Sequence, residues 1–443
     1  MADGDLIDLE ITGVAHGGVF VGRHEGRVVF VPDSIPGERV RVRLTDTGKN
    51  SFWRGDAIEV LDASPHRRAH VWRQADIDVR PERRPGGADF GHIDLAHQRE
   101  LKSTVIHDAL QRIGGLEAPV TMSPAASVLS RGGEIAQIET SDGTRWRTRV
   151  SLHVDAEGRV GPYAGRSHRV IAVDDLPLAT AALESAALDI RHGETGRVDL
   201  VQPADGEVRV LARPEYVRPV TGAPRRTRSD RGPDPRREVV IERVGDKEFR
   251  VDVGGFWQVH RLAAHSLTSL VTETLHSVGI DSDASHLDLY GGVGLFAATL
   301  AGLAGEHTHV TSVESDQRAT LHASENLAEW SGARAVTGRV DRWIGRHLAE
   351  ASAVERERLS RGVVLLDPPR AGAGREVVEG IAAMRPATVV YVACDPVALA
   401  RDLGTFRAAG YATSRVDAVD LFPNSHHVEA VALLTREGAG TTP

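Results

Sequence analysis

The only cysteine of this chain, Cys394, closes an apolar run, Val389-Val390-Tyr391-Val392-Ala393-Cys394-Asp395-Pro396. Upstream lies Asp367-Pro368-Pro369-Arg370, and downstream Phe422-Pro423-Asn424-Ser425-His426-His427-Val428-Glu429. A thiol at the end of a buried strand, with a carboxylate on a later strand of the same sheet, puts a soft nucleophile and a base within reach of one pocket. The chemistry this predicts is covalent catalysis. A solitary free cysteine is otherwise most often a small core hydrophobe, and the company of these motifs separates Cys394 from that reading. Pro396 and the apolar positions after it predict a helix starting just behind the thiol, where the partial positive charge of a helix N-terminus assists ionisation. Glu429 precedes apolar residues 430–434 and is expected to open a strand at the rim of the sheet.

The elements that must position these groups read as a doubly wound, Rossmann-like α/β sheet. Ser285-His286-Leu287-Asp288-Leu289-Tyr290-Gly291-Gly292-Val293-Gly294-Leu295-Phe296 runs from a strand through a glycine-rich turn into a helix, the place where backbone approaches a bound cofactor. Nicotinamide, flavin and S-adenosyl-L-methionine (SAM) sites all use such turns. The next strand, His309-Val310-Thr311-Ser312-Val313-Glu314, ends in an acid where a ribose diol needs an acceptor. The turn reads G-G-x-G rather than the G-x-G-x-x-G of nicotinamide sites, and the later D-P-P-R favours methyl transfer over hydride transfer. Two prolines after Asp367 stiffen that loop, which suits gripping a planar group.

With Phe256-Trp257-Gln258-Val259 added, these pieces fall in one order over roughly residues 250–435 and resemble the RNA uracil-5-methyltransferases, SAM-dependent enzymes that form 5-methyluridine in transfer or ribosomal RNA. The resemblance implies that Gln258, Tyr290, Glu314 and Asp367 hold SAM, with Gly292, Gly294 and Leu295 on the turn and Asp341 at the adenine edge. It implies that Cys394 adds to C6 of the uracil and that Glu429 removes the C5 proton. The target base must then leave its stack, and Phe256 or Trp257 either stacks on it or fills core. Where the family motif reads S-C-N-P, this chain has Ala393-Cys394-Asp395-Pro396. Asp395 either disfavours ionisation of its neighbour or accepts a hydrogen bond from uracil N3–H. Many ribosomal-RNA members carry a [4Fe–4S] centre around C-G-G-C; here the corresponding residues are Pro85-Gly86-Gly87-Ala88-Asp89, with Leu176-Pro177 at a later ligand position. One thiol cannot make four thiolate ligands, so no iron–sulfur cluster is expected, and scattered histidines predict no other metal site. The alternatives are an amino-methyltransferase that uses D-P-P without a cysteine, or an RNA-binding protein that keeps this fold without turnover.

At 443 residues and 41% hydrophobic composition the chain has material for more than one core. Residues 1–62 alternate apolar and polar positions between turns and predict a small OB-like β-barrel, resembling the RNA-binding TRAM module. Residues 63–245 read as a central α+β domain, with a helix over 96–114 and strands over 148–154 and 208–211. Residues 246–443 form the methyltransferase domain. A net charge of −9 and a pI near 6.1 argue against nucleic-acid binding over the whole surface and call for local patches. Candidates are Arg39, Arg41 and Arg43, spaced to share one face of a strand, and the arginine-rich stretch 224–237, either an RNA-contacting loop or a solvated insertion. The partner expected is structured RNA, with no membrane and no obligate protein partner. A free thiol, an acidic N-terminus and the lack of a long apolar stretch predict a cytoplasmic protein.

Overall fold

A computed structural model describes residues 1–129, 135–165, 167–190, 195–214, 234–305 and 308–437. Strands β1 (Leu6–Ala15), β2 (Val19–His24), β3 (Arg27–Val31), β4 (Arg39–Asp46) and β5 (Phe52–Asp62) close a barrel in the order β1-β2-β3-β5-β4. Alternate residues of β1 and β4, among them Ile7, Leu9, Ile11, Val40, Val42 and Leu44, point into its core, the period of two that a half-buried strand requires. Phe90, Ile93 and Leu101 from the chain beyond the barrel complete that core.

Helix α1 (Leu95–Ala109) is capped by Asp94, whose side chain accepts from the His97 amide, and ends in a wider turn at Leu110–Gly114. Strand β6 (Val120–Pro124) follows. The middle of the chain contributes an antiparallel sheet built on β7 (Arg149–Val154), β8 (Gly196–Val201) and β9 (Arg209–Pro214), packed around Trp72, Trp146 and Leu183. A hairpin, β10 (Val239–Val244) and β11 (Lys247–Asp252), leads out of it. The arginine-rich stretch lies outside the described residues except for 234–237, where Arg236 is paired to Asp234 at 2.7 Å.

The C-terminal part comprises helix α2 (Ala263–His276), β12 (Ser285–Leu289), α3 (Leu295–Ala304), β13 (His309–Glu314), β14 (Ala333–Thr337), α4 (Val340–Glu350), β15 (Val363–Leu366), α5 (Arg375–Met384), β16 (Thr388–Ala393), α6 (Pro396–Ala408), β17 (Tyr411–Asp420) and β18 (Glu429–Arg436). Its sheet runs β14-β13-β12-β15-β16-β18-β17-β6. β15 and β16 are buried along their whole length, the signature of parallel strands covered on both faces. β6, assigned from sequence to the central domain, pairs in parallel with β17 from Val120↔Val416 to Pro124↔Asp420. Residues 120–124, within the span expected to form the central domain, thus join the C-terminal sheet. Local pattern identifies such a strand but not its distant partner. The buried ion pair of Lys102 with Asp420, 2.6 Å, ties α1 to the same edge. Among the described residues no helix is long and apolar enough to cross a membrane.

Candidate active site

The carboxyl ends of β12, β13, β15 and β16 gather at one edge of the sheet, the usual place for a ligand in an open α/β fold. β18 runs antiparallel to β16, so its first residue lies at that same edge. On the glycine-turn side, Tyr290, Gly292 and Gly294 all take positive φ, 63°, 54° and 89°. Gly291 is required by space: a Cβ there would sit 2.0 Å from Ser312 Oγ and 2.7 Å from Asp288 Oδ2. Glu314 braces the turn, accepting from the Gly292 amide at 3.1 Å through one oxygen and from the Asp316 amide at 2.7 Å through the other. Asp341, in the first turn of α4, is 2.6 Å from Arg339, whose hydrogen bond holds the carboxyl near 2. Tyr290, Arg339, Asp341 and residues 373–377 line a cavity of about 430 Å³. Leu295 is buried in the core beneath the turn. Gln258 is half-buried in the loop before α2 and lines neither this cavity nor the one around Cys394.

Two further carboxylates sit at this edge of the sheet, Asp367 directly after β15 and, not singled out from the sequence, Asp288 within β12. Asp288 is wholly buried; its Oδ2 accepts from the Ala297 amide at 3.0 Å and from Ser312 Oγ at 3.3 Å, while Oδ1 has no partner among the described residues. Burial pushes it up to about 7. Asp367, which donates its amide to the Leu289 carbonyl, is likewise pushed up to about 7, by burial and by the Asp288 charge. Its acidic place in a strand of otherwise apolar character was the signal for Asp288. A buried and a half-buried carboxylate held this far above their ordinary range form a site that a cationic ligand would relieve.

On the thiol side, the last pair of the β16–β18 ladder is Ala393↔Ala430, so the next step sets Cys394 against Glu429. Glu429 is 4% exposed. Burial, then Asp367, raises it well above the carboxylate range, with Arg370 opposing. Burial pushes the Cys394 thiol up to about 12; Glu429 and Asp367 add to the shift and Arg370 resists it. The helix N-terminus expected to favour the thiolate is in place, but it is outweighed by desolvation and two carboxylates. A cavity of about 110 Å³ opens onto Cys394, with Lys102, Arg370, His427 and the barrel turn at residues 15–18 in its wall. Asp395 also lines this cavity, with each of its oxygens already holding one partner. Its Oδ1 accepts from the Ala398 amide at 2.8 Å, capping α6, and its Oδ2 lies 3.0 Å from His16 Nε2.

The tRNA (uracil-5-)-methyltransferase family profile matches residues 267–437, and the TRAM domain profile matches residues 3–57. A protein of Streptomyces avermitilis named an uncharacterized RNA methyltransferase is 36% identical, the match covering 99% of this chain and all of the relative. A similarly named protein of Bifidobacterium longum is 34% identical, over 97% of this chain and 96% of its own. This chain belongs to that RNA methyltransferase family. The fold agrees with the crystal structure of Pyrococcus abyssi tRNA (uracil-54, C5)-methyltransferase in complex with S-adenosyl-L-homocysteine, at a TM-score of 0.64 and 22% identity over 97% of this chain and 100% of that one.

Within this RNA methyltransferase the TRAM barrel has two unlike faces. Arg39, Arg41 and Arg43 share a face as their spacing predicts, but Arg39 is 2.8 Å from Asp62, Arg41 lies between Asp8 and Glu59, and Arg43 is 2.5 Å from Glu82. Those cations are neutralised within the barrel and its neighbour, which removes them as a ready phosphate patch. On β3 and β5 the exposed Arg27 and Arg54, with Lys49 beside them, have aromatic partners: Arg27 stands 4.7 Å from the Trp53 ring centre, Lys49 4.7 Å from Phe52, and Arg54 5.5 Å from Phe52. Asn424, in the F-P-N-S-H motif, had been given no role. It is wholly buried at φ 66°, donates to the Asp142 and Gly143 carbonyls at 3.0 and 2.7 Å, and exchanges hydrogen bonds with Gln98 of α1. His426 meets Asp89 at 2.6 Å, in the segment that replaces C-G-G-C, and His427 lies 3.4 Å from Arg370. Among the described residues no group of three or more His, Cys, Asp or Glu side chains could hold a metal ion. Phe256 is 74% exposed, whereas Trp257 packs on Phe249 in the core.

Proposed function

We propose that the chain methylates C5 of a uridine in structured transfer or ribosomal RNA, with SAM as donor and a covalent Cys394–C6 adduct as intermediate. The observation that carries this reading is the opposition of Cys394 and the buried Glu429 across the β16–β18 ladder, with a small cavity opening onto Cys394. SAM supplies an electrophilic methyl on a sulfonium cation. Tyr290, Glu314 and Asp341, with Gly292 and Gly294 on the turn, would hold its adenosine part, and Asp367 its charged end beside Asp288.

Uracil C5 is a poor nucleophile, so a bond from Cys394 Sγ to C6 is formed first, moving the C5–C6 electron pair toward O4. The thiol proton leaves to solvent as that bond forms, so that Glu429 is kept for the later step. C5 then takes the methyl group and carries both methyl and hydrogen. Glu429 accepts the C5 proton; a carboxylate raised by burial is the stronger base for that step. Re-forming the C5=C6 double bond breaks the Sγ–C6 bond, the thiol regains its proton, and the proton on Glu429 goes to solvent. Burial, with Glu429 and Asp367 nearby, favours the protonated thiol in the free protein. Exposed Phe256 is available to stack on an extruded base, and the β3–β5 cations of the barrel to meet phosphates.

The test is to map 5-methyluridine by mass spectrometry in RNA from cells with and without the gene. Loss of 5-methyluridine at one or a few positions is expected, and loss of a base methylated on an exocyclic nitrogen would replace this reading with the amino-methyltransferase one.

A further inference from the structure

The turn between β1 and β2 lies against both chain segments that carry the reacting groups. His16 Nε2 is 3.0 Å from Asp395 Oδ2, one residue from the thiol, while the other oxygen of Asp395 caps α6. Gly18, at φ 73°, approaches the loop that leads to Glu429 so closely that a Cβ would fall 2.7 Å from His426 Nδ1. The barrel core does not ask for histidine at position 16: β1 has ended at Ala15, and the His16 side chain is 47% exposed. The catalytic side does have a use for it. Cys394 already faces Glu429 and Asp367, with Arg370 the opposing cation, and a further bare carboxylate beside the thiol would penalise any build-up of charge on sulfur.

We propose that His16 is a positioning residue for methyl transfer. Reaching from the N-terminal barrel, it occupies Asp395 Oδ2, compensates that carboxylate, and fixes the Cys394-Asp395 peptide at the start of α6. Seating of the barrel turn thereby becomes a condition for attack by Cys394. The inference rests on the covalent reading above and adds a dependence that reading does not require.

The experiment measures the rate of covalent adduct formation between full-length protein and an RNA containing 5-fluorouridine, with SAM present. SAM and RNA affinities are measured alongside. Four proteins are compared with wild type: His16→Ala, His16→Gln, Asp395→Asn, and Asp395→Asn combined with His16→Ala. His16→Ala should slow the adduct by about tenfold or more, the size of coupling expected for residues in direct contact, with both affinities within about twofold. His16→Gln, whose amide can still donate to Asp395, should recover most of the rate. In the Asp395→Asn background, removing His16 should cost about twofold or less, because the carboxylate it serves is gone. An unchanged rate in His16→Ala would overturn the proposal. So would an equal loss in the Asp395→Asn background, or a loss of RNA affinity matching the loss of rate, which would make His16 an RNA contact. Absence of adduct in the wild type would refute the covalent reading itself and is thereby distinguishable.

Discussion

The glycine-turn side of the site is supplied by one stretch of chain, residues 290–377, whereas the thiol side draws on the barrel turn, α1, the D-P-P-R loop, the end of β16 and the loop before β18. The first is a local product of strand, turn and helix. The second is an assembly, held by contacts such as Lys102 with Asp420, Asn424 with Gln98 and His426 with Asp89. The difference teaches that donor binding can be complete within the C-terminal domain, while the acceptor pocket exists only when barrel and α1 are docked. Damage to one side should then spare the other, except where a residue belongs to both.

The largest effect expected is on the thiol side alone. Cys394→Ala should lose all methylation while SAM affinity, measured by calorimetry, stays within about twofold, since no unmet donor or charge is created. A parallel loss of SAM binding would mean that the two sides are not separable. Asp367→Ala is the place where the comparison should break, because Asp367 feels the Asp288 charge on one side and acts on Cys394 and Glu429 on the other. It should weaken SAM binding by about tenfold or more, from about 1–3 kcal/mol for each donor left unmet, and also slow turnover at saturating SAM. Unchanged calorimetric affinity would remove Asp367 from the donor site.

A smaller and purely acceptor-side effect is expected on the barrel. Arg27→Glu with Arg54→Glu should weaken RNA binding about tenfold at physiological salt and lower the salt slope by about 2, while Arg39→Ala should leave RNA affinity nearly unchanged. Equal losses from both faces would restore the arginine strand as a phosphate patch. Deleting the barrel outright is a poorer probe, because it would uncover Phe90, Ile93 and Leu101.

How far each side was legible follows from its construction. Glu314 is readable from local sequence as the acid that ends the second strand, while Tyr290 and Asp341, implied by the family resemblance, come together at one cavity of the structure. His16, Lys102 and Asn424 are not readable in this way, since nothing within a few residues of them reports what they meet across 318 or more positions of chain. Arg39, Arg41 and Arg43 show the same limit in another form. A period of two fixes their shared face but not the carboxylates Asp8, Glu59, Asp62 and Glu82 that wait beside it. The pairing of β6 with β17 is out of reach of local sequence for that reason too. Asp288 was missed because a strand motif read for its glycines distracts from the one acid buried within it.

The smallest effect is one of stability, on the donor side. Asp288 has its folded-state value raised from 3.8 to about 7, so the folded protein keeps a proton that the unfolded chain loses above about pH 4. Its favourable contribution is complete below that pH and falls away as pH rises through 7. Asp288→Asn abolishes this slope, so its melting temperature relative to wild type, without SAM, should improve by about 2–4 °C between pH 5 and pH 8. An offset that does not change with pH would contradict the assignment of a costly buried carboxylate.

The most direct test of the whole account separates the two reacting groups by the step at which each fails. Glu429→Gln, incubated with target RNA and radiolabelled SAM and run on a denaturing gel, should accumulate a methylated RNA–protein adduct, because addition and methyl transfer proceed while proton removal from C5 does not. Cys394→Ala under the same conditions should give neither adduct nor methylated RNA. Methylation by Cys394→Ala, or a Glu429→Gln protein that binds both RNA and SAM yet forms no adduct, would contradict the covalent mechanism.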